Sequence, residues 1–339
     1  MIINIITRSN SSNKKTRGPK KVLDNLIKGL EKLEIKYVFN QPISKFDYNW
    51  IHDDPAGVIE ASFVNKPVLI GPNIAVFPKD LPFLRKKIHP SSIYLQPCDW
   101  AKRMWADLGF KEILINVWPV GIETSKFLPN KPDFKKTLIY FKQRDQALLI
   151  QVEDLLIKKN IDYEIIKYGE YNEDDFISIL DNTSLVIWLG CTESQGIAYQ
   201  EVLSKNIPIV FLDAINLFMN TKLDLSFSSG KDKKILERLN TSSAPYFDGT
   251  CGEKFVSTKQ LEENLSQIIR NIDNYKPREF IMRNLSIEKQ TLEFLSLVKK
   301  TYKKNNESIN YKLISRYLYF MNLILFKIMS LIYTKFNNN

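Results

Sequence analysis

The chain has 339 residues, 44% of them hydrophobic, with only twelve glycines and fifteen prolines, which fits two packed domains and excludes fibrous and low-complexity classes. The formal charge of +10 is concentrated at one end: from Lys299 onward there are eight basic residues against the single Glu307, a net +7, so the rest is near balance and no nucleic-acid partner is expected. Cys98, Cys191 and Cys251 lie far apart without a C-x-x-C pair, and His52 and His89 are the only histidines, so neither a disulfide framework nor a zinc site is expected.

Strand and helix patterns alternate along the chain, as in parallel sheets covered by helices. Ile2–Ile6 reads as a buried first strand. It is too short, and lacks the basic flank, to be a signal peptide, so a cytoplasmic location is expected. The polar loop Thr7–Gly18 leads to a helix opened by Pro19, with Val22, Leu23, Leu26, Ile27, Leu30 and Leu33 at helical spacing. Strands follow at Lys36–Phe39, at Val68–Ile70 (ending in Gly71-Pro72-Asn73), at Ser92–Leu95 and at Ile113–Val117, with a helix over Asp99–Leu108. Pro129 and Pro132 mark a break at Gly121–Phe134, which reads as a linker. A second series runs through the strand Thr137–Phe141, a helix near Gln146–Lys159, the strand Tyr163–Lys167 and a helix near Glu173–Leu180. It continues with the strand Ser184–Leu189, a helix around Ile197–Ser204 and the strand Ile207–Leu212. Helices are expected at Leu261–Ile272 and Ile287–Thr301. Two such halves predict a cleft that both can face.

The stretch from Leu189 to Val210 carries the most chemistry. It reads strand, loop, helix, strand, with Glu193 in the loop. Gly196 permits close backbone approach, and the helix start after it suits an anion. Glu201, about a turn into the helix, has a carboxylate that can accept two hydrogen bonds from a vicinal diol such as a ribose. No G-x-G-x-x-G follows a predicted strand, which disfavours a dehydrogenase.

This stretch resembles the E-x7-E signature of retaining GT-B glycosyltransferases of the glycosyltransferase group 1 type. Pro97-Cys98-Asp99-Trp100 is similar to that family's Pro-Ser-x-Trp helix start, with Cys98 in place of Ser. Gly121-Ile122-Glu123 followed by Phe127 and Pro129 is similar to its linker entry. The resemblance spans about residues 1–295. It implies an α/β GT-B fold of two Rossmann-like domains: an acceptor domain at 1–125 and a nucleotide-sugar donor domain at 126–295, with a basic amphipathic tail at 296–339. It implies transfer of a sugar, with retention, from a nucleoside-diphosphate sugar to a glycan or lipid-linked acceptor. Glu193 would contact the donor sugar and Glu201 the ribose, with the backbone of Gln195, Gly196 and Ile197 near sugar and phosphates.

The diphosphate needs cations. The family places them after the first strand of the second domain, where Lys142 and Arg144 stand here without the usual glycine. They bind phosphate or are solvated loop residues. No metal or other cofactor is expected, since these charges would neutralise the leaving group. In the first domain the family's loop histidine is absent. Asn73 occupies a comparable place and His52 is the other catalytic candidate, with a structural role as its alternative. Arg17 and Gly18 belong to a loop that grips phosphate or a lipid-linked acceptor, or is merely solvated. A relative that kept the fold and lost catalysis is the alternative to an enzyme.

Residues 318–332 are almost all apolar, and the polar positions from Lys312 to Thr334 fall within an arc of roughly 140° on a helix. An amphipathic helix over 311–336, lying on an anionic membrane, is the expectation, and packing onto protein is its alternative. The protein is therefore expected at the membrane periphery.

Overall fold

The computed structural model describes residues 1–9, 18–81, 88–129, 136–221 and 230–302. The loop candidate Arg17 and the amphipathic segment 311–336 lie outside them. The chain divides into two units. The first holds Met1–Gln96, Gly109–Trp118 and, of the described residues, 291–302; the second holds Pro97–Leu108 and Pro119–Gln290.

The first unit is a six-stranded sheet in the order β2-β1-β3-β4-β5-β6, parallel throughout. Its strands are β1 (Ile2–Thr7), β2 (Lys36–Phe39), β3 (Tyr48–His52), β4 (Leu69–Ile70), β5 (Ile93–Gln96) and β6 (Leu114–Val117). Helix α1 (Gly18–Lys32) buries Val22, Leu23, Leu26 and Leu30, the stripe expected of one helical face. Helix α2 (Pro55–Val64) starts on Asp54, whose carboxylate accepts from the Ala56 N–H, with Pro55 pre-set for the first turn.

Neither β3 nor α2 follows from apolar periodicity. In β3 the polar Asn49 is buried because its side chain is satisfied: its Oδ1 accepts from the Asn4 amide at 2.9 Å and its Nδ2 donates to the Phe46 carbonyl at 2.8 Å. Trp50 is fully buried, edge-on to Trp118 and Phe294, with its indole N–H donating to the Gly71 carbonyl at 2.7 Å.

The second unit is a five-stranded parallel sheet in the order β11-β10-β9-β7-β8. Its strands are β7 (Lys136–Phe141), β8 (Tyr163–Lys167), β9 (Thr183–Leu189), β10 (Ile209–Leu212) and β11 (Gly252–Phe255). Parallel sheets are covered on both faces, so their inner strands are near-continuous apolar runs, and alternate residues feed different cores. Leu138, Tyr140, Val186, Trp188, Ile209 and Phe211 enter one core. Helices Glu173–Asp181, Ile197–Ser204 and Pro277–Leu285 (α5, α6 and α9) cover it. Ile139, Leu185, Ile187, Leu189, Val210 and Leu212 enter the other, under helices Gln146–Lys158 and Thr258–Arg270 (α4 and α8). The helices not yet mentioned are α3 (Asp99–Asp107), α7 (Gly230–Glu237) and α10 (Ile287–Tyr302).

Residues 121–129 are anchored within the second unit. Ile122 donates its N–H to Leu285 O at 2.8 Å and bridges Ser286, and a Cβ on Gly121 would lie 2.4 Å from Ile287 Cα. Arg278 donates to the carbonyls of Thr124, Phe127 and Ser204. Among the described residues no helix is long and apolar enough to cross a membrane.

In each sheet the first strand lies between the second and the third, so the winding reverses between β1 and β3 and again between β7 and β9. Beyond the carboxyl ends of such strand pairs, neighbouring loops diverge and leave room for a ligand.

Candidate functional site

The β7/β9 switch point carries a close ion pair. Lys142 follows β7 directly, and its N–H donates to Leu189 O at 3.0 Å, so the two strands stay zipped to their ends. Its Nζ donates to Glu193 Oε1 at 2.6 Å, with the two side chains 16% and 15% exposed. Burial pulls the Lys142 pKa down, but the Glu193 carboxylate outweighs it and holds the ammonium above its ordinary value. The same Nζ sits 4.4 Å from the centre of the Tyr168 ring, at the end of β8.

The loop that carries Glu193 is pinned along its length. Thr192 and Asn220 exchange two hydrogen bonds, Thr192 N–H to Asn220 Oδ1 at 2.8 Å and Asn220 Nδ2 to Thr192 Oγ1 at 2.7 Å. The Glu193 N–H donates to Ser242 O at 3.0 Å, and its carbonyl accepts from Trp100 Nε1 at 2.9 Å. Pro97, three residues before that tryptophan, accepts at its carbonyl from the Tyr246 hydroxyl. The Pro97–Trp100 motif thus props the Glu193 loop from 93 residues away in sequence.

Gln195 is buried, and its amide pairs with the backbone of Val120. Oε1 accepts from Val120 N–H at 3.0 Å and Nε2 donates to Val120 O at 2.7 Å. Gly196 follows with φ +78°, where a side chain would be strained, and an added Cβ would fall 2.0 Å from Tyr199 Cε1. It opens α6 without a side-chain cap, leaving the anion-favouring end of the helix dipole beside Glu193. Ile197 packs partly against the core, and Glu201, in the second turn, is buried. Arg144 is buried as well. Its Nη1 donates to the Gly190 and Leu212 carbonyls at 2.9 and 2.8 Å, and burial lowers its pKa.

Beyond β10, Asp213 accepts from the Ser243 N–H and from the Ser242 hydroxyl, and the Ser243 hydroxyl donates to Gly190 O at 3.0 Å. Burial lowers the pKa of Lys254, whose Nζ donates to Ala244 O at 2.7 Å. Tyr168, Asn220, Asp213 and Ser242 lie outside every motif of the sequence. Only Asp213 left a signal, an acid directly after an apolar strand.

In the first unit the carboxyl ends of the paired strands β3 and β4, beside the β1/β3 switch point, bring His52 and Asn73 together. His52 Nε2 lies 3.2 Å from Asn73 Nδ2, and the imidazole stacks on Trp50 with ring centres 4.8 Å apart. His52 is fully buried, its Nδ1 has no hydrogen-bond partner among the described residues, and burial lowers its pKa to about 3, so it is neutral. Asn73 takes φ +68° after a cis Gly71-Pro72 bond. Arg8, next after β1, donates from Nε to Asp53 O at 2.8 Å and lies 3.6 Å from its carboxylate. Gly18 is the first residue of α1, with none of the described residues within 4 Å of an added Cβ.

Two parallel-sheet Rossmann-like units in one chain define the GT-B fold, the fold the motifs implied. Two of the solved structures that match illustrate it. One is the lipopolysaccharide outer core galactosyltransferase WaaB in its apo form, with a TM-score of 0.54 and 14% identity, over 88% of this chain and 99% of that one. The other is Anabaena Alr3699/HepE in complex with UDP and glucose, with a TM-score of 0.53 and 11% identity, over 87% of this chain and 99% of that one. At these identities the likeness is one of fold. Neither a protein-family model nor a curated protein sequence matches the chain significantly.

Proposed function

We propose that this protein is a glycosyltransferase that moves a sugar, with retention, from a nucleoside-diphosphate sugar to a glycan or lipid-linked acceptor. The observation that carries the reading is the Lys142–Glu193 pair at the β7/β9 switch point, followed by the uncapped helix start at Gly196. A cation and a helix N-terminus suit a diphosphate, and a carboxylate beside them suits sugar hydroxyls. That WaaB is a galactosyltransferase and HepE holds UDP and glucose supports the same reading.

In this reading Lys142 neutralises the leaving diphosphate, a charge that a metal ion would otherwise supply. Glu193 accepts hydrogen bonds from the sugar, and Glu201 from the ribose. The backbone at Gln195, Gly196 and Ile197 approaches sugar and phosphate. Arg144 contributes charge while its Nη1 braces the loop. The bond from the anomeric carbon to the diphosphate oxygen breaks, the acceptor oxygen bonds to that carbon, and its proton passes to the diphosphate. Asn73 and His52 are the first unit's candidates for the transferring sugar or the acceptor, and Arg17–Gly18 for an acceptor phosphate. The sequence of 311–336 supports an acceptor held at an anionic membrane.

The test is a thermal-shift screen of UDP-, GDP- and ADP-sugars, followed by transfer assays with the stabilising donor, with and without a chelator. One donor family should raise the melting temperature. Glu193→Ala should lower turnover by roughly 100-fold or more, and the chelator should change nothing. Undiminished transfer by Glu193→Ala would sink the assignment, and donor binding without turnover by the native chain would favour a non-catalytic binding protein.

A further inference from the structure

Lys142 and Glu193 are each needed by the donor, yet in the free protein each occupies the other. Resting on the glycosyltransferase reading, we infer that the pair is a latch operated by the donor: the diphosphate draws Lys142 away, and only then is the Glu193 carboxylate open to the sugar hydroxyls.

Three features favour this. The pair is short, at 2.6 Å, and both side chains are mostly withdrawn from water, so neither releases its partner without a replacement. The Lys142 ammonium also lies over the Tyr168 ring, which gives it a second hold while it changes anions. The Glu193 backbone is fixed at both its N–H and its carbonyl, so the carboxylate stays at the site when Lys142 moves.

Charge then sets the order of events. A diphosphate offers more negative charge to Lys142 than one carboxylate does, and it wins the ammonium. The stripped Glu193 needs new donors, and the hydroxyls of the attached sugar supply them. A diphosphate without a sugar takes the lysine and leaves the carboxylate bare, so it binds less well than the donor. After transfer Glu193 reclaims Lys142, and the pair's re-formation helps the spent diphosphate leave.

The test is calorimetric titration of UDP, GDP and ADP, without sugar, into the full chain and into Glu193→Gln, Lys142→Met and the double variant, each checked for folding by circular dichroism. With the latch, Glu193→Gln binds its preferred diphosphate about 10-fold tighter than the native chain, a difference of about 1.4 kcal/mol. The gain should vanish where Lys142 is replaced. Unchanged affinity in Glu193→Gln overturns the latch. So does a gain that persists without Lys142, because that is plain repulsion between carboxylate and phosphate. Should Glu193→Gln fail to fold, Glu193→Asp, one methylene too short for the pair, is titrated with the same expectation. A native chain that binds and transfers a sugar while the gain is missing defeats the latch alone. One that binds no diphosphate and no donor defeats the functional reading and the latch with it.

Discussion

Protonating His52 should destabilise the first unit in a defined pH window. The imidazole is fully buried against Trp50, and its pKa falls from 6.5 to about 3 because burial disfavours the cation. The unfolded chain takes up a proton near pH 6.5 and the folded one does not until near pH 3. Stability is therefore full above about pH 6.5 and is lost progressively as pH falls through that window. Between pH 7 and pH 5 the loss is about 2 kcal/mol from this residue. Half-buried carboxyls such as Asp54 and Glu60, whose pKa values burial raises, act in the opposite sense, and His89, lowered by burial, acts in the same one. The comparison must therefore be a difference. His52→Phe keeps a flat ring beside Trp50 and removes the titration. Urea unfolding followed by tryptophan fluorescence at pH 7, 6 and 5 should show the native chain losing about 2 kcal/mol more than His52→Phe. Parallel pH profiles, within about 0.5 kcal/mol, would refute the reasoning.

Other outcomes follow from the same geometry. Gly196→Ala forces a Cβ into the Tyr199 ring at positive φ and should cost roughly 1–3 kcal/mol in a thermal melt, with donor affinity falling in parallel. Gln195→Ala strands the Val120 N–H and carbonyl and should cost about 1–3 kcal/mol, read by the shift in urea midpoint; an unshifted midpoint would mean that water replaces the amide freely. Asn220→Ala breaks the clip on Thr192 and should raise the donor KM more than it lowers kcat, whereas a loss confined to kcat would assign Asn220 a different role. For residues 306–339, sedimentation of the full and truncated chains with anionic liposomes should bring down only the full chain, and equal binding by both would refute the membrane helix.

The sheets were legible where strands carry a long apolar run, as Leu185–Leu189 in β9 and the whole of β10, because a strand buried on both faces leaves a continuous run. β3 was not, since Asn49 and His52 interrupt the run and each pairs with a side chain far off in sequence, 45 and 21 residues away. The candidate site divides in the same way. Glu193, Gly196 and the helix start are local, so their frame could be read. That Arg144 braces two strand ends, and that Gln195 spends its amide on Val120, depends on contacts 46 to 75 residues apart, which no local pattern encodes.

The two switch points differ in a way that supports the proposed assignment of chemistry to the second. Each sets a cation from the loop after its first strand against an acid from the loop after its third: Arg8 and Asp53 in one unit, Lys142 and Glu193 in the other. Arg8 is 54% exposed and 3.6 Å from the Asp53 carboxylate, the kind of pair that water screens to about 0–1 kcal/mol. Asp53 also accepts from the Ser9 hydroxyl at 2.7 Å, so its charge is already shared with the loop. Lys142 and Glu193 sit 2.6 Å apart with about 15% exposure, where the attraction is far less screened. A ligand gains little by displacing the first pair and has to match the second in charge and geometry. On the proposed function, selectivity for a charged donor therefore belongs at Lys142 and Glu193.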